Sequence, residues 1–352
     1  MNIILIFRDL SHLGGNSMTN RKKTVLCFVL ILAVAAGLFA AGGGQSGGAQ
    51  KTYTLKMSTQ QADTAPIVAG FKAWAEAVKQ RTNGAFIIEV YTTASLGTDE
   101  DVIEQALQGA NVAVLTDGAR MANYVKDIGI VGMAYIAENY DELRKITETA
   151  TFKSWDALLV KEGIRILSYN WYDGPRNFWT NKEIKTPADL SGVRIRTPGA
   201  PVWARSVASL GATPVAMPWN DSYNALQNKA IDGVEVQSTS GYPSRTYEVV
   251  KIITKTEHFQ LANFIMCGEK WYSSLPANFQ QILMEECKKA SIENAAQILA
   301  AADGFEKQMV ANNGMKINFI DKAPFVKAAE KAYEELDFKA ARDKLWAEIG
   351  KK

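Results

Sequence analysis

Apolar and polar positions along this chain follow two rhythms that take turns. Tyr53 to Thr59 ("YTLKMST") alternates with a period of two, as a strand with one buried face does. In the next stretch, "APIVAGFKAWAEAVKQRTNG", Val68, Phe71, Trp74, Ala75 and Val78 share one helical face, and Gly84 supplies the stop. "AFIIEVYT" predicts a second strand and "VAVLTDG" a third. Between them, "DEDVIEQALQG" predicts a helix with acids in its first turn and a glycine at its end. Strand, helix, strand, helix, strand at this spacing predicts a parallel sheet with covering helices.

The rhythm resumes further on. "WDALLVKEG" predicts a helix, "IRILSYNW" a strand, and "GPRNFWTNKEI" an extended segment leading to a turn and short helix at "TPADLSG". "GVRIRTPG" is a short strand whose Arg194 and Arg196 face the same way. "APVWARSVASLG" is a helix ended by glycine, "ATPVAMPW" is extended, "NDSYNALQNKA" is a helix with an Asn or Asp cap, and "IDGVEVQ" is a strand. A second α/β unit is therefore predicted. Beyond Ser273, "LPANFQQILMEECKKASIENAAQILAAADGFEKQMVANNG" reads as one helix, longer than an ordinary globular one and long enough to serve as a strut across both units. "MKINFI" is a late strand and "APFVKAAEKAYEELDFKAARDKLWAEIG" a C-terminal helix. No internal repeat is present.

The N-terminal stretch breaks the pattern. Arg21 to Lys23 form a basic cluster, an apolar run from Val25 to Ala36 follows, and "GLFAAGGG" adds small residues before a Gly/Ser/Gln spacer. This is the layout of a secretory leader, with cleavage expected near Ala40 or Ala41 and Met18 as the more natural start. The run is short for a membrane span, and Cys27 would leave with the leader. Residues 1–41 are thus expected to be a signal peptide and 42–50 a flexible spacer, placing the remainder in the periplasm without a membrane span of its own.

Charge enters the picture only after this division. The 352-residue chain carries a formal +2, but the first 50 residues hold four Lys/Arg and one Asp, leaving 35 basic against 36 acidic residues in the body. A near-neutral body has no electrostatic footprint for nucleic acid. With 47% hydrophobic and 22% charged residues the composition is globular. Cys267 and Cys287 remain after the leader, as either a disulfide or two buried thiols. His258 is the one histidine of the body, with no G-x-S-x-G, zinc-spaced cluster, G-x-G-x-x-G or Walker loop. Two α/β units, an export signal and many aromatics without a catalytic set point to a binding protein with a cleft. No cofactor is expected. The alternatives from other classes are an exported hydrolase or isomerase working through Asp and Glu pairs, and a surface interaction protein.

The segment from Asp189 to Val236 carries a more specific signal. D-L-x-G-x-x-I-R, L-G-A-x-P-x-x-M-P, x-Y-x-A-L-Q and D-G-x-E follow one another in "DLSGVRIRTPGAPVWARSVASLGATPVAMPWNDSYNALQNKAIDGVEV". This resembles the solute-binding subunits of TRAP transporters, the DctP-type family. "TNGAFIIEVYTTASLGTDEDVIEQALQG" and "GPRNFWTNKEIKTPADLSG" resemble two further blocks of that family, so the likeness runs over nearly all of the body. It implies an α/β, two-lobed periplasmic binding protein-like fold of class II type, with a ligand cleft between lobes and a long lobe-spanning helix. Lobe I is expected at 51–173 and 261–300, lobe II at 174–260 and 301–352. A small organic acid would be captured by lobe closure and passed to TRAP membrane permease subunits driven by an ion gradient.

The resemblance also implies residue roles. Arg196 of I-R-T-P would pair with the ligand carboxylate, Arg176 of G-P-R-N-F would be a second cationic contact, and Trp219 after M-P would wall the cleft. Asp117 falls at an acidic or polar ligand contact of some relatives. Many relatives have asparagine after D-G-x-E; here Val236 stands there, followed by Gln237, so that contact is lost or moves to Gln237. Val236 and the tryptophans favour a ligand with an aromatic or apolar portion. Arg194 is expected to face solvent, and Asp232 and Glu235 to serve the hinge or lobe packing. Trp171, Trp179 and Trp203 divide between core and cleft, with Tyr172, Asp173 and Tyr242 as rim candidates.

Overall fold

The computed structural model describes residues 51–351; the leader, its cleavage point and the spacer lie outside the described residues. Among the described residues nine strands form one sheet, in the order β2-β1-β3-β8-β4-β7-β5-β6, with β9 paired to β8. The strands are β1 (Tyr53–Ser58), β2 (Phe86–Tyr91), β3 (Val112–Thr116), β4 (Ile164–Thr180), β5 (Arg194–Thr197), β6 (Thr213–Ala216), β7 (Gly233–Val236), β8 (Ile252–Gly268) and β9 (Lys316–Asn318). The main helices are α1 (Pro66–Arg81), α2 (Asp99–Leu107), α3 (Tyr140–Glu148), α4 (Ala150–Lys161), α5 (Pro201–Ser209), α6 (Ser222–Gln227), α7 (Ala277–Asn313), α8 (Ala323–Glu335) and α9 (Lys339–Ile349).

The sheet is parallel at its two ends and antiparallel in its middle. β1 runs parallel to β2 and β3, and β5 parallel to β6 and β7. The joins β3–β8, β8–β4 and β4–β7 are antiparallel. The predicted parallel pairing is therefore found in the two patches built from strand–helix–strand units, because those crossovers enforce it, and again where β9 joins β8. The middle is made by β4 and β8, each 17 residues long. The C-terminal part of β8 borders β3, while its first residues, Ile252 to Thr254, pair with Phe178 to Thr180 of β4 and with β9. Each long strand thus belongs to both lobes.

Sequence reading divided β4 into a strand and an extended segment. It is one strand interrupted by irregularities: the β4–β8 register shifts four times between Ile166 and Phe178. Gly174, at φ +105°, supplies a backbone turn that a residue with a Cβ adopts only under strain. The long helix is continuous over 37 residues, about 55 Å by helix rise. It packs on α1 and on β4 and reaches the one-turn helix Ser238–Gly241 of the other lobe. Its approach to α1 is close because Gly70 has no side chain; a Cβ there would lie 2.6 Å from Asn294 of α7. The expected single C-terminal helix is two helices, because Asp337 takes a left-handed φ of 57° between them. α8 packs on α5, while α9 packs on α3 and α4.

Burial follows this plan. Phe71, Trp74, Trp171 and Ile298 form a core under the first parallel patch, and Trp179, Val234, Ile253 and Met309 one under the second. Cys267 on β8 and Cys287 on α7 are both free thiols buried in the first core, so the sequence's open question closes in favour of two apolar fillers. Burial pushes both thiols well above their ordinary range, and the Trp171 indole N–H donates to the Cys287 sulfur at 3.4 Å.

Candidate functional site

The carboxyl ends of parallel strands from both lobes face one another. Gln60 and Gln61 follow β1, Asp117 follows β3, Arg196 lies in β5, and Gln237 follows β7. In open α/β sheets this is where a crevice forms. All six residues singled out in the sequence, Arg196, Arg176, Trp219, Asp117, Val236 and Gln237, line one cavity there.

Their chemistry differs sharply. Arg196 is 3% exposed. Its Nε donates to the Met217 carbonyl at 2.9 Å, and the Trp219 ring lies 5.4 Å from its guanidinium carbon. Among the described residues no carboxylate stands within ion-pair distance of it. Burial, reinforced by the neighbouring charge of Arg176, pushes this guanidinium down to about 9. A buried cation without a counter-ion is costly unless something else supplies the charge.

Arg176, by contrast, already has its anion. It grips Glu235 on the adjacent strand β7 through Nε and through Nη2, which lies 2.7 Å from Oε1 and 2.6 Å from the Glu235 carbonyl. Trp203 covers this guanidinium at 5.0 Å. Burial raises the Glu235 carboxyl while Arg176 pulls it back. Behind the pair, His258 is fully buried, stacked on Phe178, with Nε2 3.8 Å from Glu235 Oε2. Burial, with Arg176 adding to it, holds the imidazole well below its usual range, so it is neutral.

Asp117 is likewise engaged. It caps the one-turn helix Gly118–Met121, accepting from the Arg120 backbone at 3.0 Å, pairs with the Arg120 side chain, and accepts from the Trp203 indole at 3.0 Å. Arg120 also meets Glu100 at 2.8 Å and Asp99 at 3.2 Å. Burial opposes its charge, but Asp117, Asp99 and Glu100 outweigh that and hold it well above its ordinary range. Asp99 is pushed up to about 6 by burial, against the pull of Arg120.

Gln237 is fixed from behind by Asp173. Its amide nitrogen donates to Asp173 Oδ2 and to Ser240 Oγ, the latter at 2.9 Å, so both amide hydrogens are committed. Ser240 and Thr239 hydroxyls also approach the Asp173 carboxylate at 3.1 Å. The Gln237 amide oxygen is buried without a partner. Two other side-chain atoms in the cavity wall share that condition, Gln61 Oε1 and Asn263 Nδ2.

Further hydrogen bonds join residues of the two lobes near the cavity. Trp203 reaches Asp117, the Trp219 backbone donates to Gln60 Oε1 at 2.9 Å, and Asn220 Nδ2 donates to the Thr93 carbonyl at 3.0 Å. Of the remaining sequence candidates, Trp203 lines the cavity whereas Trp171 and Trp179 are core. Tyr172 stacks on Tyr140 and donates to Gln260, Tyr242 packs on Phe305, and Asp173 lies beneath Gln237. Arg194 is part-exposed but paired with Asp232 at 2.8 Å, and Asp232 and Glu235 serve those arginine pairs. Sequence reading missed Arg120, Asp99, Gln60, Gln61 and Asn263. Arg120 was within reach, three residues past Asp117 and hence one helical turn on; the glutamines and Asn263 gave no signal of their own.

Comparison with known proteins agrees with this architecture. The family model described as bacterial extracellular solute-binding protein, family 7, matches residues 57–339. The sialic acid-binding periplasmic protein SiaP of Vibrio cholerae is 24% identical over 310 residues, covering 88% of this chain and 92% of that one. The TRAP periplasmic solute-binding protein of Ochrobacterium anthropi with bound L-fuconate superposes with a TM-score of 0.82 at 28% identity, covering 85% of this chain and 99% of that one. The apo open structure of its counterpart from Escherichia fergusonii gives 0.74 at 33% identity, over 84% of this chain and 99% of that one. The match to the family model extends over most of the chain, which belongs to the bacterial extracellular solute-binding proteins of family 7, the periplasmic binding subunits of TRAP transporters.

Proposed function

We propose that this protein captures a small organic acid in the periplasm, holds its carboxylate on Arg196, closes its lobes over it and delivers it to a TRAP permease. The observation that carries this reading is Arg196 itself, a buried guanidinium whose side chain, among the described residues, hydrogen-bonds the Met217 carbonyl and no carboxylate. A guanidinium fork and a carboxylate make two parallel charge-assisted bonds, and enclosing them strengthens the pair. The relatives named for sialic acid and holding L-fuconate support an acidic ligand. Arg176, paired with Glu235, lines the cavity as its second arginine. Trp219 and Val236 form the apolar wall, and Gln237 and Asp117 the polar one.

Binding without chemistry is the accompanying reading. The cavity's carboxylates Asp99 and Asp117 are both held by Arg120, which argues against a free acid–base pair across the cleft. The lobes are assigned to 51–173 with 261–300 and to 174–260 with 301–352, β4, β8 and α7 crossing between them. Export follows from the leader, with cleavage near Ala40 or Ala41.

A thermal-shift screen of carboxylates tests the reading. At least one acid should raise the melting temperature, and Arg196→Ala should abolish that rise. Tight binding retained by Arg196→Ala would defeat the assignment.

A further inference from the structure

With the lobes assigned as above, the chain crosses between them once more than β4, β8 and α7 account for. After α7, β9 pairs with Ile252 to Thr254 of β8, and α8 packs on α5, on the turn Pro187–Leu190 and on β8. α9 then returns to the first lobe and packs on α3 and α4. The crossing falls at Asp337, in its left-handed conformation. α8 and α9 are braced against each other. Arg342 of α9 donates to Glu330 of α8 at 2.7 Å, and its guanidinium lies over Tyr333 and Trp346 at 4.8 and 4.7 Å. Phe338, at the corner, is buried. The hairpin is therefore one stiff body laid across both lobes.

Its two seats differ in kind. Toward the first lobe it makes directional bonds. The Trp346 indole donates to the Ile136 carbonyl at 2.9 Å, the Tyr333 hydroxyl to the Ala134 carbonyl at 2.9 Å, and Lys351 to Glu142 at 2.7 Å, while Glu348 accepts from the Thr151 backbone at 3.3 Å. Toward α5 the contact is apolar: Phe325, Ala329 and Ala332 of α8 share a buried cluster with Val202 and Val207 of α5. Arg205 and Glu335 meet there only loosely, at 3.8 Å and in solvent. Lys322, at the foot of α8, holds Glu257 at 2.8 Å, but Glu257 lies on β8, which itself crosses between the lobes. Hydrogen bonds fix a position, whereas apolar packing is non-directional and lets packed helices slide. Where the parts meet, the first lobe contributes Gly129. A Cβ there would lie 3.2 Å from Val202 and 3.3 Å from Phe338, so the missing side chain leaves this corner room.

α5 carries part of the cavity with it. Its Trp203 donates to Asp117 of the first lobe and covers Arg176, and Arg196 lies on β5 just before it. A shift of α5 along α8 therefore moves the cavity wall. We propose that the α8–α9 hairpin is a strap that rides with the first lobe, and that opening of the lobes slides α5 along α8, so that this seat sets how far the protein opens. This rests on the two lobes assigned above and on no particular ligand.

The test fastens each seat separately in the mature protein. In one double variant, Arg205→Cys with Glu335→Cys, a short bis-maleimide joins α5 to α8. In the other, Lys126→Cys with Asp337→Cys, it joins the strap to the first lobe, where Lys126 and Asp337 stand 3.3 Å apart. All four side chains are at least 40% exposed, so the core is undisturbed, and the native Cys267 and Cys287 are buried away from the reagent. Small-angle scattering of the ligand-free protein reads the result. Capped with N-ethylmaleimide instead of linked, both variants should show a radius of gyration above the value of about 19 Å expected of a compact body of this length. The link between α5 and α8 should hold the protein at the compact value, and the link between strap and first lobe should leave the open value unchanged. Capped variants already at the compact value would overturn the proposal. So would an α5–α8 link without effect, or a link to the first lobe that keeps the protein compact. No ligand takes part, so failure here leaves the clamp at Arg196 standing, and tight binding by Arg196→Ala would leave the strap standing.

Discussion

Arg176 and Glu235 neutralise each other inside the protein, on neighbouring antiparallel strands, with 7% and 0% of their side chains exposed. Arg196, which lines the same cavity, has no such partner among the described residues. Two arginines that look alike in sequence therefore do different work. One holds β4 to β7; the other is the proposed carboxylate clamp.

The pair predicts a stability effect. Glu235→Gln or Arg176→Met leaves a buried charge without its partner, and each should cost about 3–5 kcal/mol. The double replacement Arg176→Met with Glu235→Met should cost less than either single change, since no lone charge remains. Urea unfolding of the three variants checks this. Additive losses in the double variant would show that the pair is not acting as a unit.

Arg196 predicts the opposite balance. Burial and the neighbouring Arg176 disfavour its charge, so Arg196→Met should leave the melting temperature of the ligand-free protein unchanged or higher. The same change should weaken ligand binding by about 2–5 kcal/mol, roughly 30-fold to several thousand-fold. Paired melting and titration measurements separate the two effects. A large drop in ligand-free stability would make Arg196 a structural residue.

Asp173 predicts a pH dependence. Burial raises its carboxyl from an ordinary 3.8 to about 6, against the hydrogen bonds from Gln237, Thr239 and Ser240. Between about pH 4 and 6 the folded chain thus keeps a proton that the unfolded chain has released. The stability from this group is full below pH 4 and lost as pH rises through 6, and Asp99 acts in the same direction. Asp173→Asn, neutral at every pH and still able to accept from the Gln237 amide, should gain about 1–3 kcal/mol at pH 7.5 and nothing at pH 4. Urea midpoints at the two pH values read the difference; a loss of stability at pH 7.5 would contradict it.

The fold was largely legible because its signals are local. Period-two strands, glycine-stopped helices and the unbroken run from Ala277 to Asn313 appear where the sequence placed them. What was not legible depends on partners far apart in the chain. The antiparallel centre arises where β4 meets β8, 88 residues apart at Tyr172 and Gln260. The break at Asp337 has no glycine or proline to announce it. At the site, the family resemblance pointed to six positions that line one cavity, but could not tell a paired arginine from an unpaired one. Whether Arg176 is satisfied depends on Glu235, and the direction in which Gln237 points its amide depends on Asp173; neither is a local property of the sequence.

The last relationship concerns closure rather than contact with the ligand. Asn220 Nδ2 donates to the Thr93 carbonyl of the opposite lobe, an exposed hydrogen bond outside the cavity lining. Such a bond contributes only when the lobes meet, about 0.5–1 kcal/mol for an exposed neutral pair. Asn220→Ala should therefore bias the protein toward the open form and weaken every ligand by the same factor, about 2- to 5-fold. The factor should be equal for a tight and a weak ligand, because the ligand takes no part in the bond. Stability of the ligand-free protein should not move. Titration of two acids of different affinity, with small-angle scattering to follow the open population, checks this; a loss confined to one of the two acids would mean that Asn220 reads the ligand and not the closure.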